Sequence, residues 1–297
     1  MSELICMVGL QGSGKSTIAQ DLKNDMIDCE IVSSDQIRKE HNYQISNDKV
    51  FQHYYARAKE LLQNGKSVIL DATNITMKSR KQIFEKFKGV DCKKTAYIVN
   101  TPINICAERL LERNQEGTQP EVPLDVLYKY QKSFEVPFYE EGWDDIIIHN
   151  VTAFREKQFE KAIEAMYDYD QKNSHHKYSL GEHCNRLEKY LKKTKLFPKH
   201  TGMLHDIGKM FTQTIDEEGQ AHYYQHHCVG AYFLISHTFL IEDINILDLV
   251  FFVNYHMMPF NWQSEKAIEK WKGIFGENKF ERLKILNEGD KESSGTQ

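Results

Sequence analysis

The stretch MLHDIGK, Met203 to Lys209, sets a histidine directly before an aspartate inside an apolar run. Alone, such a pair reads more readily as a satisfied core hydrogen bond than as a ligand set. Its surroundings change that reading. YSLGEHCNRL supplies His183, QHHCVGA supplies His226 and His227, NYHMMPF supplies His256 and ILNEGDK supplies Asp290. Several of these lie in helical, apolar patterns and are expected to point inward. Buried imidazoles and carboxylates that converge need a cation to offset desolvation and the mutual repulsion of the acids. Nitrogen and oxygen donors without a thiolate suit Mn²⁺, Fe²⁺, Co²⁺, Ni²⁺ or Zn²⁺ better than a structural zinc site.

A second constellation opens the chain. In GLQGSGKST, Gly9, Gly14, Lys15 and Ser16 satisfy G-x-x-x-x-G-K-[ST], with an apolar strand before the loop and a helical stretch after it. Glycines let backbone N–H groups curl around an anion, and the helix amino terminus adds positive potential. Gly12, Ser13, Gly14, Lys15, Ser16 and Thr17 are therefore expected to hold a nucleoside triphosphate, with Lys15 on the β- and γ-phosphates and Ser16 on Mg²⁺. Further on, IVSSDQIRKE places Asp35 at a strand-to-helix junction and Arg38 three residues later on the same helical face. A carboxylate there can take a proton from an attacking hydroxyl, and a guanidinium can clamp an acceptor phosphate. Helix capping by Asp35 explains the same residue type.

The elements that must position these groups divide in two. Ten of the thirteen histidines fall between His175 and His256, and the first 148 residues hold only His41 and His53. The amino-terminal part alternates apolar runs (LICMVG, SVILDA, KTAYIVN, DIIIHN) with amphipathic segments, which predicts a parallel sheet flanked by helices. The carboxyl-terminal part carries long helical patterns and few strand signals. The expected organisation is an α/β domain over 1–150, a helical connector over 151–173, an all-α domain over 174–292 and a tail over 293–297. Scattered cysteines without a C-x-x-C pair favour reduced thiols, and no signal peptide or membrane span is read, so a soluble cytoplasmic protein is expected. The net charge of −5 argues against non-specific coating of nucleic acid. A local basic patch in KSRKQIFEKFK (Lys78, Arg80, Lys81, Lys86, Lys88) reads equally as a grip on a strand end or as a solvated helix face.

The series GSGKST, SSDQIR, VILDATN, RLLERNQEG, VPLDVLYKYQKSFEVP and EEGWDDIII resembles the P-loop kinase domain of polynucleotide 5′-kinases over about residues 1–150. The resemblance implies that Asp35 is the general base on a 5′-hydroxyl and that Arg38 binds the neighbouring phosphate. It also makes Asp71 a Walker-B-type acid, followed by Asn74. The family's lid pattern R-N-x-x-R is kept at Arg113 but ends in Gly117. Arg109 or Arg113 then substitutes for the missing arginine, or phosphoryl transfer is slow. Residues 174–292 resemble the HD phosphohydrolase superfamily, whose H…HD…D signature implies His183, His205, Asp206 and Asp290 as metal ligands. Within QHHCVGA the resemblance selects His226, four before Gly230, over His227. It makes His256 a second-metal ligand or a phosphate contact and Lys209 a phosphate contact. Asp248 competes with Asp290 for the last acid, and His175, His176 and His222 either line the cleft or sit at the surface.

Together the resemblances imply an RNA end-healing enzyme. One domain phosphorylates 5′-hydroxyl ends with ATP and Mg²⁺, and the other, with a divalent transition metal, removes a 2′,3′-cyclic or 2′/3′ phosphate. Its partners would be nucleic-acid ends, RNA before DNA, with a functional link to an RNA ligase and no membrane. The alternatives are a small-molecule nucleoside or nucleotide kinase fused to an HD nucleotidase, or a non-enzymatic ATP-dependent switch.

Overall fold

The computed structural model describes residues 1–117, 120–149, 156–172, 177–237 and 245–295. The chain forms two compact units: Met1–Tyr130 with Pro137–Val151, and Gln131–Val136 with Thr152–Gln297.

The first unit is built on β1 (Glu3–Val8), β2 (Cys29–Ser33), β3 (Ser67–Asp71), β4 (Lys93–Val99) and β5 (Asp145–His149), hydrogen-bonded in the order β2-β3-β1-β4-β5 with every pair parallel. Leu4 to Val8 are buried without alternation, because helices cover both faces of a parallel sheet. Helices α1 (Lys15–Asp25), α2 (Ser34–Glu40), α3 (Asn47–Gln63), α4 (Met77–Lys86), α5 (Ile103–Glu116) and α6 (Leu124–Gln131) follow the strands. Ile18 and Leu22 of α1 pack on a core of Ile5, Met7, Ile69, Tyr97 and Val99. In such sheets ligands meet the carboxyl ends of the strands, where the loop after β1 and the β2–α2 and β3 ends converge.

The expected basic patch on α4 is corrected at Arg80. Its guanidinium is fully buried and paired bidentately with Glu141, at 2.5 and 2.7 Å. Lys78, Lys81, Lys86 and Lys88 remain exposed, above one structural arginine.

The second unit consists mainly of α7 (Glu156–Asp168), α8 (Leu180–Thr194), α9 (Thr201–Leu204), α10 (His226–Ile235), α11 (Ile246–Tyr255) and α12 (Glu265–Ser294), the last interrupted at Gly276 by a non-helical φ of 73°. It is not purely helical: β6 (Thr214–Ile215) and β7 (Ala221–His222) form a short antiparallel hairpin. Ser179 caps α8, its hydroxyl accepting from Glu182 N, and the apolar spacing turns Leu180, His183, Cys184, Leu187 and Leu191 to the core. Gln131–Val136, expected within the first domain, belongs here. Asn254 accepts from Val136 N at 2.7 Å and donates to Phe134 O at 3.0 Å. Among the described residues no helix is long and apolar enough to cross a membrane.

Candidate functional site

In the first unit the loop between β1 and α1 depends on glycine at two points. Gly12 (φ 74°) passes so near Cys106 O that an added Cβ would lie 2.5 Å from it, and Gly14 (φ 92°) starts α1 in the left-handed region. Lys15 Nζ donates to Leu10 O at 2.7 Å; burial lowers its pKa, and the Asp71 charge opposes that. Ser16 Oγ donates to Asp71 Oδ2 at 2.8 Å, so hydroxyl and carboxylate face one point.

Arg38 Nη1 donates to Asp35 Oδ1 at 2.9 Å, and its Nη2 to Asn47 Oδ1 at 3.0 Å. The capping explanation of Asp35 fails, because Ser33 is the residue that caps α2, accepting from Gln36 N. Asp35 sits in the first turn with its carboxylate largely exposed.

Two cavities meet at this point. One, of about 550 Å³, runs along the glycine loop past Thr17, Arg109 and Tyr130; the other, of about 870 Å³, runs past Lys39, Tyr43 and Arg57. Ser16, Asp35, Arg38, Asp71 and Arg113 line both. Arg109 Nη1 reaches Gly12 O at 3.3 Å, and Arg113 Nε is buried with no hydrogen-bond partner among the described residues. Gly117 is the left-handed C-cap of α5 (φ 63°), where an arginine would be strained. Asn74 serves the scaffold: it donates to Met7 O at 3.0 Å. Phe51, Asn47 and Tyr130 line the first cavity without any motif to mark them in the sequence.

In the second unit the atoms facing one another are His183 Nε2, His205 Nε2, Asp206 Oδ2 and Asp290 Oδ1. His183 Nε2 lies 3.0 Å from Asp290 Oδ1 and 3.6 Å from Asp206 Oδ2, His205 Nε2 lies 3.4 and 3.3 Å from the same oxygens, and the two nitrogens are 3.3 Å apart. The other carboxylate oxygen, Asp206 Oδ1, lies 3.0 Å from His226 Nε2 and 3.5 Å from His256 Nε2, which are 3.2 Å apart. These are the edges expected when bonds of about 2.0–2.2 Å radiate from a cation to tetrahedral or octahedral corners. Two triads could thus each hold a cation, His183–His205–Asp290 and Asp206–His226–His256, and the second Asp206 oxygen is turned toward His183 and His205 of the first.

The tautomers fit this use. His205, His226 and His256 each place Nδ1 at 2.8 Å from a backbone carbonyl, of Gly202, Tyr223 and Val253. A carbonyl only accepts, so Nδ1 carries the proton and, in the neutral ring, Nε2 presents its lone pair to the centre. Burial keeps His256 neutral despite Asp206, so its lone pair faces that of His226 and a carboxylate oxygen, an arrangement a cation relieves. Burial opposes protonation of His205 too, but Asp206 and Asp290 outweigh it and hold its pKa well above the usual value. Burial also works against ionisation of Asp206 and Asp290; the surrounding histidines, with Lys209 at Asp206, keep both carboxyls well below the usual range. Lys209 Nζ lies 2.7 Å from Asp206 Oδ2 and donates to Gln171 Oε1 at 3.0 Å.

His227 stands beside His256 and His226 but adds no donor to either group. Burial, then those two neighbours, bring its pKa down to about 3. Asp248 faces away, held by Arg282 at 3.1 Å. His222 pairs with Asp216 at 2.7 Å on the hairpin. His175 and His176 lie outside the described residues.

Two residues that position the centre carry no motif. The buried Glu188 carboxylate accepts from the N–H groups of His200, Gly202 and Met203, at 3.0, 3.0 and 3.3 Å, and so fixes the turn that delivers His205. At Gly208 an added Cβ would collide with His226 O, and this absence of a side chain lets the HD turn close on α10.

Residues 4–137 match the AAA_33 family, described as an AAA domain. The chain is 29% identical over 151 residues to an L-seryl-tRNA(Sec) kinase of Methanococcus maripaludis, over 48% of this chain and 56% of that protein, so it spans little more than half of the curated relative's length. A chain of a Pnkp1/Rnl/Hen1 RNA repair complex is similar at 23% identity, covering 43% of this chain and 42% of that one with a TM-score of 0.40. A fungal RNA kinase is similar at 17% identity, covering 57% and 86% with a TM-score of 0.39. The first unit has the parallel-sheet α/β fold of P-loop kinases.

Proposed function

We propose that the protein heals RNA ends, adding phosphate to a 5′-hydroxyl in its first unit and removing a 2′,3′-cyclic or terminal 2′/3′ phosphate in its second. The observation that carries this reading is that one chain holds a glycine-loop cavity sharing lining residues with a second cavity, and separately two largely buried triads, His183–His205–Asp290 and Asp206–His226–His256. RNA broken by transesterification ends in a 5′-hydroxyl and a 2′,3′-cyclic phosphate, and the two activities answer those two ends.

In the first reaction ATP lies along the glycine loop, with Lys15 at the β- and γ-phosphates and Mg²⁺ at Ser16 and Asp71. Asp35 takes the proton of the acceptor hydroxyl, held in place by Arg38, which also meets the acceptor's phosphate. Arg113 and Arg109 neutralise the charge on the transferring phosphoryl group in place of the residue replaced by Gly117. The curated relative is by name a kinase of L-seryl-tRNA(Sec), in keeping with a hydroxyl carried on RNA.

In the second reaction His183, His205, Asp206 and Asp290 hold one divalent transition metal, and Asp206, His226 and His256 a second. Bound there, the cations supply Lewis acidity to a phosphoryl oxygen and acidify water. The residues keep the donors aimed inward, exclude bulk water, and place the Lys209 cation beside Asp206.

A short RNA carrying a 5′-hydroxyl and a 2′,3′-cyclic phosphate, incubated with ATP, Mg²⁺ and Mn²⁺ and read by mass spectrometry, tests both halves. Gain of a 5′ phosphate with loss of the 3′-end phosphate is expected. An unchanged oligonucleotide beside turnover of mononucleotides would instead establish a small-molecule kinase and nucleotidase, the reading that Gly117 and the net acidity favour.

A further inference from the structure

A cavity of about 300 Å³ lies in the second unit against α12, lined by aromatic, basic and amide side chains and by the carboxylates Glu281 and Glu288. Trp262 and Phe280 stack on one another there, 4.2 Å between centroids and 19° from parallel. Two lining residues carry buried donors with no hydrogen-bond partner among the described residues, Asn287 Nδ2 and Trp262 Nε1. Asn287 is only 6% exposed, so water does not readily replace the missing partner. A buried donor left unmet costs about 1–3 kcal/mol, and both of these belong to residues that line the same cavity.

Charges of both signs line the cavity, and of its three lysines two are paired with carboxylates. Lys272 is engaged by Glu277 at 2.7 Å and Lys284 by Glu281 at 3.0 Å. Lys291 stands 5.2 Å from the Phe260 ring centroid, with no carboxylate at salt-bridge distance among the described residues. The cavity is also tied by sequence to the proposed metal ligands. Asn287 precedes Asp290 by three residues on α12 and Lys291 follows it, so these groups lie within one helical turn. Pro259, which also lines the cavity, follows His256 by three.

We propose that this cavity is a nucleobase site, taking the planar, acceptor-bearing ring of a nucleoside phosphate. Asn287 and Trp262 donate to ring oxygen or nitrogen atoms, the aromatic walls contact the ring, and Lys291 meets phosphate. The identity of the ligand rests on the phosphohydrolase reading of the neighbouring centre, while the unmet donors do not. The same chemistry is offered by a free nucleotide and by the last nucleotide of an RNA strand.

Titration calorimetry on the full chain with Mn²⁺ tests the site, using uridine 3′-phosphate, a short RNA ending in a 3′ phosphate, and inorganic phosphate as probes. Asn287→Leu removes the amide at similar volume, and Trp262→Phe removes the N–H but keeps a ring against Phe280. In each variant the affinity ratio of uridine 3′-phosphate or RNA to inorganic phosphate should fall about tenfold, the worth of one buried hydrogen bond. A fall for RNA alone assigns the site to strand ends, and a fall for both extends it to free nucleotides. An unchanged ratio in both variants overturns the site. Turnover of uridine 3′-phosphate, followed alongside, keeps the two readings apart. Discrimination without turnover keeps the cavity and sinks the hydrolase, whereas turnover with an unchanged ratio does the reverse.

Discussion

His205, His226 and His256 show how one hydrogen bond per ring decides what a residue can do. With Nδ1 committed to a carbonyl, each ring has only Nε2 left, and that atom faces a carboxylate oxygen. Cation binding must therefore compete with protons at His205, whose pKa the neighbouring acids raise; Asp206 and Asp290, held low, stay ionised. The cation-bound form carries fewer protons, so apparent affinity for Mn²⁺ should rise with pH through neutrality. Calorimetry in two buffers of different ionisation enthalpy should detect proton release on binding; uptake would contradict the assignment. Metal content separates the ligand groups: His226→Ala should retain about half the wild-type metal and Asp206→Ala almost none by plasma mass spectrometry. At the other centre, Asp35→Asn keeps shape and removes the base, and kcat for 5′-phosphorylation should fall about 10²–10⁴-fold with ATP affinity retained.

At the scale of elements, close approach and burial do the positioning. Gly208→Ala should force the HD turn from α10, costing about 1–3 kcal/mol by thermal unfolding and weakening metal binding as well. If stability fell while metal affinity held, the turn would not be what sets the Asp206–His226 distance. Arg80→Ala leaves Glu141 buried without its partner and should cost about 3–5 kcal/mol, whereas the exposed Lys81→Ala should cost little. Arg80 also marks where the sequence was opaque. It sits in a run of lysines, and the acid that buries it is 61 residues away. The strands were legible because both faces are covered, and the glycine loop because its chemistry needs fixed spacing. Glu188, Gly208 and Asn287 were not, since each acts through a contact that neither periodicity nor motif encodes. The exchange of Gln131–Val136 into the second unit escaped for the same reason: its partner is Asn254, more than a hundred residues on.

At the scale of the whole molecule, the two centres draw on separate residues in separate units. Lys15 and Asp71 belong to the first, and every residue of the two ligand triads to the second. Substitution at one should therefore spare the chemistry of the other. Lys15→Ala should abolish transfer from ATP by removing the buried ammonium beside the loop, while loss of the 3′-end phosphate continues. Asp206→Ala, which takes one oxygen from each ligand group, should abolish that loss while 5′-phosphorylation continues. Both products can be followed on one doubly blocked RNA, so a partial effect on either end appears against an internal reference. Loss of both activities from either substitution, in protein that unfolds at the wild-type temperature, would mean that the centres are coupled. Retention of 3′-end processing by Asp206→Ala would mean instead that the ligand triads are not where that phosphate is removed.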